Sequence, residues 1–87
     1  MIEHERESEI ALQLRRFVQS EVMRDNEAVE LQEPLFETGR VDSLGLLQIV
    51  EHIGREFGVD LLQRGRPADL RTLATLAKAI LREGGAA

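Results

Sequence analysis

At 87 residues with no cysteine, the chain has room for one hydrophobic core and lacks a disulfide framework, a thiolate nucleophile or a zinc-thiolate site, so any sulfur chemistry has to come from an added group. Sixteen acidic side chains against eleven basic ones give a formal charge of -5, a field that repels phosphate backbones and attracts basic protein surfaces, which argues against nucleic-acid binding. Apolar residues make up 43% and the aromatics are Phe17, Phe36 and Phe57, so aliphatic side chains have to fill the core.

The apolar runs are far too short for a membrane span, and the acidic N-terminus has neither the basic nor the apolar region of a signal peptide. These features predict a soluble, cytoplasmic monomer made of a single domain over residues 1–87, with a helical core from about 8 to 83 and a tail at 84–87 that frays. From Ser8 to about Met23, Ile10, Leu14, Phe17, Val18 and Val22 recur at the spacing of one helical face. Glu3, Glu5, Glu7 and Glu9 occupy the start of this segment, where carboxylates offset the positive end of the helix dipole.

Residues 24–42 lose that period and contain Asp25-Asn26, Pro34 and Gly39, so they read as a long loop pinned by Val29, Leu31, Leu35 and Phe36. A second helix is predicted from Ser43 to Phe57, with Leu46, Ile49, Val50, Ile53 and Phe57 on one side. Asp42 and Ser43 suit its N-cap, and Gly58 suits a left-handed stop. Val59 to Leu62 reads as a connection, Pro67-Ala68-Asp69-Leu70 as one short helical turn, and Thr72 as the cap of a last helix carrying Leu73, Leu76, Ala77 and Ile80 on one face. The fold class is all-α: a small four-helix bundle of three main helices plus one short one, with a long loop between helices 1 and 2.

The run Leu35-Phe36-Glu37-Thr38-Gly39-Arg40-Val41-Asp42-Ser43-Leu44-Gly45-Leu46-Leu47, followed by Glu51 and by Glu56-Phe57-Gly58-Val59, resembles the phosphopantetheine-attachment region of acyl and peptidyl carrier proteins, over roughly residues 8 to 83. The resemblance implies that Ser43 receives 4'-phosphopantetheine from coenzyme A through a separate phosphopantetheinyl transferase, and that Asp42 assists that transferase and its magnesium ion. It also implies a non-catalytic chain that holds cargo as a thioester, with an acyl- or aminoacyl-loading ligase or transferase and downstream biosynthetic enzymes as partners. The residues agree independently: a serine at a helix mouth exposes its hydroxyl, and free backbone N–H groups there favour an attached phosphodiester. No histidine or lysine is adjacent in sequence to activate this hydroxyl, so the loading falls to another enzyme.

Leu44 and Leu47 either pack under the loop or form an apolar recognition patch beside Ser43, with Leu47 expected to be partly exposed. Bacterial fatty-acid carriers resemble this chain less well on the second helix, where they carry acidic side chains and this one has Gln48, Gly54 and Arg55. That departure points to a dedicated pathway of the polyketide or nonribosomal-peptide kind. Gly54 costs helix stability, which suggests close packing or local movement. His4 and His52 match no ligand spacing, so no metal site is assigned and His52 reads as a helix-surface residue. Arg64, Arg66 and Arg71 read as a solvated loop. The competing reading is an unmodified helical adaptor in which Ser43 serves only as a cap.

Overall fold

In the computed structural model, residues 2–23 and 28–85 are described, with side chains from Glu5 onward. Glu3, His4, Asp25-Asn26 and Ala86-Ala87 therefore lie wholly or in their side chains outside the described residues. The elements are α1 (Ile2–Phe17), a π-helical stretch (Val18–Met23), α2 (Ser43–Phe57), α3 (Leu61–Arg64), a 3-10 turn (Pro67–Leu70) and α4 (Leu73–Arg82). No strand occurs among the described residues, and the all-α bundle read from the sequence is the observed architecture.

α1 begins at Ile2, six residues before the predicted start at Ser8. Its first turns are built from Glu and Arg, good helix formers that need no core contact and so leave no periodic trace. Ile10, Leu14 and Val18 are buried, and α1 makes its main contact with α4. On α4, Leu73, Leu76, Ala77 and Ile80 are fully buried as their shared face requires. Thr72 caps α4 through a reciprocal pair: its Oγ1 accepts from the Thr75 amide at 3.0 Å, and the Thr75 hydroxyl oxygen accepts from the Thr72 amide at 3.0 Å.

After Phe17 the helix widens into the π-helical stretch. The Ser20 hydroxyl donates to the Arg16 carbonyl at 2.9 Å, a back-bond that bends helices, and the Gln19 side chain accepts from the Val29 amide at 2.9 Å. The turn that widens the helix thus also anchors the returning chain.

The long loop is held by burial of Val29, Leu35 and Val41. Phe36, expected to pin it, is instead 37% exposed; the backbone turns there, with Gly39 N–H bonded to the Phe36 carbonyl at 2.9 Å and Gly39 at φ 77°. Two backbone hydrogen bonds tie the loop to the start of α4, Leu35 N to Arg71 O at 2.9 Å and Ala74 N to Leu31 O at 3.0 Å. Arg40 donates to the Ala28 carbonyl at 2.9 Å and to Glu33 at 3.1 Å, closing the loop on itself.

The Val59–Leu62 connection contains a fourth helix. Asp60 caps α3 by accepting from the Leu62 and Gln63 amides at 3.1 and 3.3 Å, and Leu61 is buried beneath it. The Pro67–Leu70 turn forms as read, with Asp69 accepting from the Arg66 amide at 2.8 Å. Of the arginines assigned to a solvated loop, Arg71 pairs with Glu37 at 2.8 Å and Arg64 lies 3.8 Å from Glu83. At the end of α4, Gly84 takes φ 80°, and the Gly84 and Gly85 amides donate to the Leu81 and Ile80 carbonyls at 3.1 and 2.8 Å. The left-handed turn at Gly84 returns these two amides to the last carbonyls of α4.

Candidate functional site

The sequence puts the candidate residues at the mouth of α2, and the structure keeps them there. Asp42 is the N-cap, with extended backbone (φ -100°, ψ -173°), and its Oδ1 accepts from the Gly45 amide at 2.9 Å. Its own carbonyl accepts the first intrahelical bond, from Leu46 N at 2.9 Å. Ser43 is the first helical residue and is exposed, and its hydroxyl has no hydrogen-bond partner among the described residues. With the Gly45 amide occupied by Asp42, the amides of Ser43 and Leu44 remain without intrahelical acceptors and face outward at the positive end of the dipole.

That mouth is braced from behind. Val41 is buried, and a Cβ on Gly45 would lie 2.9 Å from Val22 Cγ1 and 3.1 Å from Val41 Cγ1. Gly45 therefore permits the π-helical stretch to press against the first turn of α2, at a distance a side chain would forbid. At the far end, Gly58 adopts φ 72° and donates to the Gly54 carbonyl at 3.1 Å, the predicted left-handed stop.

Leu44 is 69% and Leu47 47% exposed, and Leu62 on α3 is 63% exposed. Neither leucine beside Ser43 packs under the loop. The buried side of α2 is Ile49, Val50, Ile53 and Phe57, with Leu46 half-buried. A groove of about 370 Å³ runs between the second half of α2 and the chain leading into α3, with Val50, Gly54, Val59 and Leu62 on its walls. A Cβ at Gly54 would meet nothing nearer than the Val59 carbonyl oxygen at 3.9 Å, so this glycine is not there for close packing; it leaves the groove floor open.

His52 departs from the sequence reading. It is half-buried, its ring stacks on Phe17 with centroids 3.9 Å apart and planes 11° from parallel, and its buried Nε2 has no hydrogen-bond partner among the described residues. Burial holds the imidazole below the ordinary histidine value, with Glu56 pulling it up and Arg55 pushing it down. At about 1.5 Å rise per residue His52 lies roughly 13 Å along α2 from Ser43, out of reach as its base. Among the described residues there is no group of three or more His, Asp or Glu side chains placed to hold a metal ion, and no helix is long and apolar enough to cross a membrane.

The described residues thus form a short all-helical bundle with an exposed serine at the first position of α2. The family model described as "phosphopantetheine attachment site" matches residues 12–80, and the chain belongs to that family. Members of the family attach 4'-phosphopantetheine covalently and are in general non-catalytic themselves. No curated protein and no solved structure matches the chain.

Proposed function

We propose that Ser43 is the attachment residue and that the chain is an acyl or aminoacyl carrier, probed in turn by a transferase, a loading enzyme and the enzymes that consume the cargo. The observation that carries this reading is the Ser43 hydroxyl, exposed and unpartnered at the first position of α2 within the family's matched span. The residues present suit the group: two outward amides, of Ser43 and Leu44, stand beside the point where its phosphate is anchored. The bound group supplies a terminal thiol for thioester chemistry, which a chain without cysteine cannot supply itself.

The chain's own residues contribute presentation. Asp42 holds the helix mouth in shape through Gly45 N–H, and its other oxygen is available to the transferase's magnesium ion. Leu44 and Leu47 form an apolar contact beside Ser43, and the acidic balance of the chain favours partners with basic surfaces. Gly54 and Arg55 are exposed on α2 and Gln48 is half-exposed, which gives that face a mixed character and supports service in specialised metabolism of the polyketide or nonribosomal-peptide kind. We place this work in the cytoplasm, by a monomer, without nucleic acid or membrane.

Incubation of the purified chain with coenzyme A, magnesium and a broad-specificity phosphopantetheinyl transferase tests the reading by intact mass. Addition of one phosphopantetheinyl group to the wild type, lost in Ser43→Ala, supports it. A folded wild type that stays unmodified beside a working control carrier favours the adaptor reading instead.

A further inference from the structure

A titratable ring on α2 stacks on the last residue of α1. Phe17 and His52 stack at 3.9 Å, and Phe17 is the last residue before the π-helical stretch. That stretch carries Val22, whose methyl group approaches the backbone of Gly45 so closely that a Cβ there would be 2.9 Å away. One continuous piece of chain therefore links the imidazole to the first turn of α2, two residues from Ser43.

We propose that the Phe17–His52 stack is a proton-operated latch: the neutral imidazole holds the π-helical stretch against the first turn of α2, and protonation releases it. In the neutral ring the hydrogen can sit on Nδ1, leaving Nε2 as a bare acceptor in its buried position, a modest cost. Protonation makes Nε2 a charged donor in a buried position with no protein acceptor among the described residues, which is far less tolerable. A cation over the Phe17 face gains some attraction in return, and Glu56 favours the charged form. Burial and Arg55 oppose it, and the net effect on the imidazole is downward. The charged groups acting on the ring, Glu56 and Arg55, both belong to α2; the facing element contributes the uncharged Phe17, with Arg16 beside it in sequence and Glu21 on the π-helical stretch.

The sign follows from this. With the imidazole value depressed in the folded state, the latch is closed at and above the ordinary histidine range and opens as pH falls through the depressed value. The device depends on the Phe17, Val22 and Gly45 contacts alone and works equally in a chain whose Ser43 is never modified, so its failure and the failure of the carrier reading are separate results.

The experiment is a pH titration of the intact chain by NMR, following the His52 imidazole carbon-bound proton and the backbone amides of Val22 and Gly45. The expected result is a His52 midpoint below that of the same proton in urea-unfolded chain, with both amides moving at the His52 midpoint. In His52→Phe, which keeps a stacked ring that cannot titrate, that movement disappears. In Phe17→Leu, the His52 midpoint rises toward the unfolded value. Movement of the Gly45 amide that persists in His52→Phe has another origin and does not count toward the latch. Amides that stay still through the His52 transition, or that move at the same midpoint in His52→Phe, overturn the proposal.

Discussion

Two glycines in α2 invite the same substitution and should answer it oppositely. At Gly54, exposed in the helix interior with nothing nearer than 3.9 Å to a new methyl group, Gly54→Ala recovers the helix propensity that glycine forgoes, about 1 kcal/mol of stabilisation. At Gly45 the same methyl would meet Val22 Cγ1 at 2.9 Å and Val41 Cγ1 at 3.1 Å. Both are branched side chains with little freedom to swing away, and overpacking of this kind costs about 1–3 kcal/mol. Propensity offsets part of that cost, less so near a helix end, so Gly45→Ala should lie between neutral and about 2 kcal/mol destabilised. The gap between the variants is then about 1–3 kcal/mol, which for a domain of this size corresponds to at least roughly 4 °C in Tm. Urea unfolding followed by far-UV circular dichroism measures it, with unchanged m values as the check that only stability has moved. Equal stability of the two variants would show that the π-helical stretch does not press on α2 as described.

Asp42→Ala removes the acceptor for Gly45 N–H and should cost about 1 kcal/mol in the same assay, whereas Ser43→Ala, at a hydroxyl without a partner, should stay within about 0.5 kcal/mol of wild type. Leu14→Ala leaves a cavity at a fully buried position and should cost about 2–5 kcal/mol, while Leu44→Ala at a 69% exposed one should leave unfolding nearly unchanged. The hydrogen bond from Arg82 is the main reason the Asp69 carboxyl sits below its ordinary value, against a smaller upward push from burial. A depressed carboxylate contributes stability that is present above the ordinary aspartate range and lost as pH falls through the folded-state value. Asp69→Asn should therefore flatten the acid limb of a stability-against-pH curve; an unchanged limb would mean that the pair is screened away.

What could be read from the sequence had a local chemical signature. α2 and α4 were legible because their apolar residues keep period over several turns and because Asp42, Gly58 and Thr72 mark ends through side-chain or backbone chemistry that acts within four residues. α3 was not, since Leu61–Arg64 is too short to display any period, although Asp60 before it and Gly65 after it are the cap and stop that could have revealed it. The π-helical stretch uses residues that fit an α-helix equally well, and its contacts, from Gln19 to Val29 and from Val22 to Gly45, join residues that no local period connects. Phe36 misled because an apolar side chain in a loop suggests an anchor, yet Leu35 and Val41 had already filled the space. His52 was misjudged for a similar reason: its partner Phe17 lies on another helix, and no spacing rule reaches that far. The mouth of α2, by contrast, is assembled from consecutive residues, which is why its start at Ser43 and its cap at Asp42 could be read directly.

The principal helix pairing joins the first helix to the last, and this has a bearing on the life of the chain before it is complete. A nascent polypeptide lacking α4 has no lid for the apolar stripe of α1, and the loop that hangs from Arg71 and Ala74 has nothing to hang from. Contacts between distant segments fold late and slowly compared with local ones. Closure of the α1 stripe therefore depends on α4 having been made, which places the principal packing of the domain late in its synthesis.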